Sequence, residues 1–136
     1  MEMKDQYTFE ELKEIIAELR SEHGCPWDRK QTHESLKKCL QDECDEVLAA
    51  IDNNDMENLC EELGDILLQV MLHSRIAEEN GEFTVTDVIS VLSRKMIRRH
   101  PHVFGGETCG TAEESLYRWN EIKRQEKEAR KKGIKL

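Results

Sequence analysis

Between Asp55 and Gly81 the chain carries apolar residues on almost every side of what its spacing makes one long helix. Leu63, Leu67 and Met71 fall along one side, and Leu59, Ile66 and Leu72 along the other. A helix of that kind is buried on more than one side. In a chain of 136 residues this leaves two placements: the centre of a helical bundle, or a face covered by a second subunit. Either one predicts an all-α architecture of four to five helices with short connections. Composition points the same way, with 5% aromatic residues, 36% charged residues and two prolines. No strand pattern of any strength and no internal repeat is present. The length suits a single domain over 1–136, with a core at about 8–123 and a basic tail over 124–136.

The helix just described also carries acids inside its apolar stripe. Glu62 and Asp65 project among Leu59, Ile66, Leu72 and Ile76. One helix earlier, Glu43 and Glu46 lie one turn apart on the side of Leu36, Leu40 and Val47. The patterns are E-x-x-E and E-x-x-D. Bare carboxylates in an apolar seam are costly unless something pairs with them. Four together repel one another, so they take up protons or bind cations. All-oxygen ligation suits a hard cation such as Mg²⁺ or Mn²⁺. Asp45 and Glu57 are an internal control, since both project away from the stripes. A single E-x-x-E is usually a solvated face. Two such pairs inside two consecutive stripes point instead to a metal site between helices.

The remaining elements follow from caps and breakers. Thr8 with Glu11 has capping-box spacing and predicts a helix over about Phe9–Glu22. His23-Gly24-Cys25-Pro26-Trp27-Asp28 breaks it, and Trp27 reads mainly as a packing residue. Thr32 is a candidate N-cap for a second helix reaching about Ile51. Asp55 caps the third helix after an Asp52–Asp55 turn. Thr84 or Thr86 opens a fourth, which ends before Pro101. Thr111 with Glu114 opens a last helix that frays into the basic tail.

Charge and cysteine usage exclude some functions. A net charge of −9 argues against a general nucleic-acid binder, which needs a basic footprint. The charge is uneven, however. Arg94, Lys95, Arg98, Arg99 and His100 form a basic block, and the segment 123–135 is mainly basic. No apolar run is long enough to span a membrane, and the acidic first residues lack a signal core. Five cysteines without C-x-x-C spacing favour free thiols in a reducing cytoplasm over a zinc site or a disulfide framework.

Carboxylates holding Mg²⁺, with cations nearby, are what phosphoryl chemistry needs. Lys95 and Arg99 are i,i+4 and share a helix face; a solvated cationic face is the plainer alternative for them. Di-iron carboxylate chemistry is disfavoured, because the positions three after Glu46 and Glu62 are Ala49 and Asp65 rather than His. His73, on the Glu62 face but further along, reads as a packing histidine.

These residues lie in segments with a familiar pattern: CPWDRKQTHESLK (25–37), DECDEV (42–47), EELGD (61–65), KMIRRHPHVFG (95–105) and WNEIK (119–123). The chain resembles the MazG nucleoside triphosphate pyrophosphohydrolases of the all-α NTP pyrophosphatase superfamily, over about Gly24–Lys123. That resemblance implies Mg²⁺-dependent hydrolysis of a nucleoside triphosphate at the α–β bond, giving monophosphate and pyrophosphate. It assigns Mg²⁺ to Glu43, Glu46, Glu62 and Asp65, with Mn²⁺ as a possible substitute. It gives nucleotide contacts to Lys95, to Arg98 or Arg99, to Trp119 and to Lys123. Glu43 or Glu46 is the candidate general base. The resemblance further implies a homodimer or larger oligomer and a nucleotide-pool housecleaning role. Asp42 departs from the family pattern, which often has Glu there. The alternatives are a non-catalytic helical interaction module, whose acids merely solvate a bundle, and a narrow enzyme for dUTP, dCTP or a modified nucleotide.

Overall fold

The computed structural model describes residues 2–136 and is helical throughout, with no strand among the described residues. Its elements are α1 (Phe9–Leu19), α2 (Pro26–Arg29), α3 (Lys37–Asp52), α4 (Met56–Glu79), α5 (Val85–Arg99), α6 (Pro101–Phe104) and α7 (Ala112–Lys131). Five are the long helices expected, and α2 and α6 are single turns opened by the two prolines. The chain forms two compact units, Met1–Val85 and Thr86–Leu136.

In the first unit, α3 and α4 pack together and α1 packs on α4. The α1 capping box forms in full: Thr8 accepts from the Glu11 amide, and Glu11 accepts from the Thr8 amide. The helix stops at Leu19, three residues sooner than expected, because the Cys25 amide donates to the Leu19 carbonyl and folds the chain back. A Cβ at Gly24 would overlap the Glu18 and Leu19 carbonyl oxygens, so this return requires glycine. Thr32 caps a turn rather than a helix. It accepts from the Ser35 amide while the Ser35 hydroxyl accepts from the Thr32 amide, and α3 begins only at Lys37. Trp27 does not pack as expected and is 56% exposed, since the one-turn α2 has no apolar face to bury.

The core of this unit is Ile16, Leu36, Met71, Leu72, Ile76 and Val85, with Leu12, Leu19 and Leu68 against it. Arg20 ties its end together. The guanidinium makes two 2.9 Å bonds to Glu79 and also donates to the carbonyls of Asp28 and Gln31. The α3–α4 connection turns through Asn54, at φ 51°, and the Asp55 side chain accepts from the Asn58 amide as the expected N-cap. Toward its C-terminal end α4 is buried through Met71, Leu72 and Ile76, while Leu63, Leu67 and Val70 before them stand exposed, as do Leu48 and Ile51 on α3.

In the second unit, α7 opens on Thr111, which accepts from the Glu114 amide. The reciprocal half of that box is displaced by one residue, with Glu114 accepting from Gly110. The helix does not fray at the tail as expected; it continues to Lys131 because Glu126 is anchored from its own unit. Among the described residues, no helix is long and apolar enough to cross a membrane.

Candidate metal centre

Helices α3 and α4 bring the four predicted carboxylates together. One oxygen from each of Glu43, Glu46, Glu62 and Asp65 lies within 4.8 Å of the others. Each pair spans one turn of its own helix, so packing the two helices suffices to close the cluster. Glu62 is 8% exposed, Glu43 and Asp65 are half-buried, and Glu46 is open to solvent. No donor reaches Glu43 Oε2 or Glu62 Oε2, both of which are buried. None of the four makes an ion pair with a basic side chain among the described residues. Asp42 instead pairs with Lys38 at 2.6 Å on the outside of α3, and the control residues Asp45 and Glu57 are exposed as expected.

The electrostatics are those of crowded like charges. The Glu62 carboxyl is pushed up to about 7. The largest cause is a proton shared with Glu46, followed by burial, the Glu46 charge, Glu43 and the Asp65 charge. Glu43 is also raised, first by burial and then by the charges of Asp65 and Glu46. Such a site relieves its repulsion by binding a proton or a cation. Clustered carboxylates with orphaned oxygens fit a hard divalent cation in both number and type.

The predicted basic and aromatic residues all lie in the second unit. Arg98 Nε is 2.8 Å and Arg99 Nη2 is 2.9 Å from the Glu126 carboxylate. The Arg99 guanidinium sits 4.6 Å from the Trp119 ring centroid, and the His100 ring meets the same indole edge-on. Glu126, 3% exposed, is thereby held down to about 2, by Arg99 first and Arg98 second. Lys95 is half-buried without an ion pair among the described residues, and Lys123 is exposed beside Asn120, Arg124 and Lys127. Glu126 was missed from the sequence. Its signal was an acid inside a mainly basic tail, seven residues after Trp119.

His73 does not join the carboxylates. Its Nδ1 is 2.7 Å from Nδ1 of His33, in the turn before α3. Gln69, one turn before His73 on α4, is buried with its Oε1 unpartnered. Neither Gln69 nor the histidine pair was legible as such in the spacing.

The family model described as "MazG nucleotide pyrophosphohydrolase domain" matches residues 31–104. A protein from Thermotoga maritima named "Nucleoside triphosphate pyrophosphohydrolase/pyrophosphatase MazG" is 54% identical over 123 residues, covering 90% of this chain and 47% of that protein. The "Nucleoside triphosphate pyrophosphohydrolase" of Escherichia coli (strain K12) is 41% identical over 117 residues, covering 85% and 44%. The chain thus spans about half, or less, of the length of the curated relatives it matches. A solved structure, "Crystal structure of mazG-related protein from Thermotoga maritima", superposes with a TM-score of 0.70 at 35% identity, covering 85% of this chain and 98% of that one.

Proposed function

The chain belongs to the MazG nucleotide pyrophosphohydrolase family, and we propose that it hydrolyses nucleoside triphosphates at the α–β phosphate bond with Mg²⁺, or Mn²⁺ in its place. The observation that carries this is the cluster of Glu43, Glu46, Glu62 and Asp65, with one oxygen from each within 4.8 Å of the others and two of their oxygens, Glu43 Oε2 and Glu62 Oε2, buried without a donor. These four hold the metal. When bound, it neutralises phosphate charge and makes water more acidic. Glu43 or Glu46 accepts the proton of the attacking water. The water oxygen bonds to the α-phosphorus, the bond from that phosphorus to the bridging oxygen breaks, and pyrophosphate leaves with the electron pair.

Lys95 and Lys123 are the proposed cations for the nucleotide, because neither is engaged by a carboxylate among the described residues. Arg98, Arg99 and Trp119 are proposed to contribute as one unit held by Glu126. A homo-oligomer is proposed as well, a second copy covering the exposed Leu48, Ile51, Leu63, Leu67 and Val70. Light scattering after gel filtration tests it, and a monomer at micromolar concentration overturns it. Free thiols at all five cysteines support a cytoplasmic setting, in which the role is housecleaning of the nucleotide pool.

Product analysis decides the reaction. The protein is incubated with ribo- and deoxynucleoside triphosphates, with and without Mg²⁺, beside Glu43→Gln and Glu62→Gln. Monophosphate plus pyrophosphate, requiring metal and lost in both variants, is expected. Diphosphate plus orthophosphate would overturn the assigned bond. No turnover by the folded protein with Mg²⁺ would favour an interaction module.

A further inference from the structure

Consecutive residues on a helix point about 100° apart, so Arg98 and Arg99 on α5 would by themselves face different directions. Two guanidinium groups also repel, and long side chains lose rotamer freedom when held still. In the second unit both are nevertheless fixed on one carboxylate. Glu126 Oε2 accepts from Arg98 Nε at 2.8 Å and from Arg99 Nε at 3.2 Å, and Oε1 accepts from Arg99 Nη2 at 2.9 Å. Glu126 and Arg99 are both buried, so salt and water screen this contact little.

What Glu126 takes decides what it leaves. Its bonds consume the Nε of both arginines and one terminal nitrogen of Arg99. No acceptor among the described residues reaches Arg98 Nη1, Arg98 Nη2 or Arg99 Nη1. The same carboxylate sets the aromatic neighbour, because the Arg99 guanidinium it holds sits 4.6 Å from the Trp119 ring centroid. His100 closes the edge of that ring, its own Nδ1 donating to the Met96 carbonyl at 2.6 Å. A plain clamp between α5 and α7 would need only one arginine, which would balance the Glu126 charge. The second guanidinium leaves the cluster with a surplus positive charge, costly beside the first unless an anion arrives to meet it.

We propose that Glu126 is a positioning residue for substrate binding: it holds Arg98 and Arg99 together so that their unbonded terminal nitrogens form one preformed cradle for phosphate oxygens. This rests on the nucleoside triphosphate reading above and adds to it an acid that acts on the nucleotide only through the arginines. Guanidinium nitrogens match phosphate oxygens in geometry and charge. Ordering both side chains before the nucleotide arrives removes that cost from binding. Phosphates held this way are held in the ground state and the transition state alike, so loss of the cradle shows in KM more than in kcat.

Steady-state kinetics with ATP and saturating Mg²⁺ separate positioning from plain stabilisation. Glu126→Gln is compared with Glu79→Gln, which breaks the Arg20–Glu79 pair of the first unit, at a temperature where circular dichroism shows both folded. Glu126→Gln should raise KM about tenfold or more with kcat within about threefold, while Glu79→Gln leaves KM within about twofold. Glu126→Asp keeps the charge on a shorter stem and should fall between the wild type and Glu126→Gln. In an Arg98→Ala background, Glu126→Gln should raise KM by a smaller factor than in the wild type, since one of the groups it positions is gone. An unchanged KM in Glu126→Gln overturns the proposal, as does a loss of kcat larger than the rise in KM. So does an equal KM rise in Glu79→Gln, or KM factors for Glu126→Gln and Arg98→Ala that simply multiply. If Glu126→Gln does not fold, Glu126→Asp decides, with a KM rise of at least about threefold expected and none overturning the proposal. If the wild type turns over no nucleotide at all, the nucleoside triphosphate reading has failed and the positioning role falls with it; turnover with KM unmoved in the Glu126 variants sinks only the positioning role.

Discussion

Glu62 and Glu126 are the same residue, each more than nine-tenths buried, and they are driven in opposite directions. Glu62 faces three other carboxylates and is pushed up to about 7. Glu126 lies between two guanidinium groups and is held at about 2. Burial raises both, so burial does not set the sign; the partners do. The contrast separates two uses of a buried acid. Glu126 has its lone pairs filled from within its own unit and acts as a clamp joining α5 and α7. Glu62 keeps a buried oxygen that no donor reaches, which is what its proposed role as a metal ligand requires.

The comparison is broken most severely by Glu62→Gln. Turnover should fall about a hundredfold or more, while the metal-free variant melts at or above the wild type at pH 8, because a repelling charge is gone. A large loss of thermal stability, read by calorimetry, would mean that Glu62 is a structural acid after all. Next in size is Glu126→Gln. Breaking a buried ion pair commonly costs about 3–5 kcal/mol. Because the Arg98 side chain is 31% exposed, about 2–3 kcal/mol is expected, measured by urea unfolding.

The pH dependences of the two acids should run in opposite senses. Glu126 has a folded value of about 2 against an ordinary 4.5. Its contribution is complete above about pH 5 and is lost as pH falls toward 2. Glu62 has a folded value of about 7 against 4.5. The folded, metal-free protein therefore binds the extra proton, and stability declines as pH rises through that window. Added Mg²⁺ should raise the melting temperature more at pH 8 than at pH 5, and EDTA should reverse it. Equal shifts at both pH values would argue against metal binding at the cluster. Smallest of all is Asp42→Asn, which removes only the surface pair with Lys38. Activity should stay within about twofold; a larger loss would bring Asp42 into the cluster's electrostatics.

The carboxylate cluster was legible in sequence because its members are one turn apart within each helix and joined by a short turn. Periodicity placed both pairs on packed faces, and two helices in contact did the rest. Glu46 was legible less well. Periodicity placed it in the stripe, yet it is open to solvent, since spacing fixes the face a residue lies on and not how deeply that face is covered. The Thr32 cap failed for a related reason: the hydroxyl–amide exchange with Ser35 satisfies a tight turn as well as it would a helix start. The apolar sides of α4 looked alike along their length in sequence, but Met71 is core while Leu63 and Leu67 on the same side stand in the open.

By itself, then, the sequence determined the all-α class, the Thr8, Asp55 and Thr111 caps, the α3–α4 hairpin and the meeting of four acids. All of these rest on interactions three or four residues apart, or on one short connection. Only the tertiary structure decided that Arg20 holds Glu79, that His33 meets His73, that Arg98 and Arg99 share Glu126, and that Gln69 is buried with an oxygen unbonded. Those partners are 27 to 59 residues apart. Local spacing names the charge at each end of such a pair, but the distance between them is set by how whole helices pack.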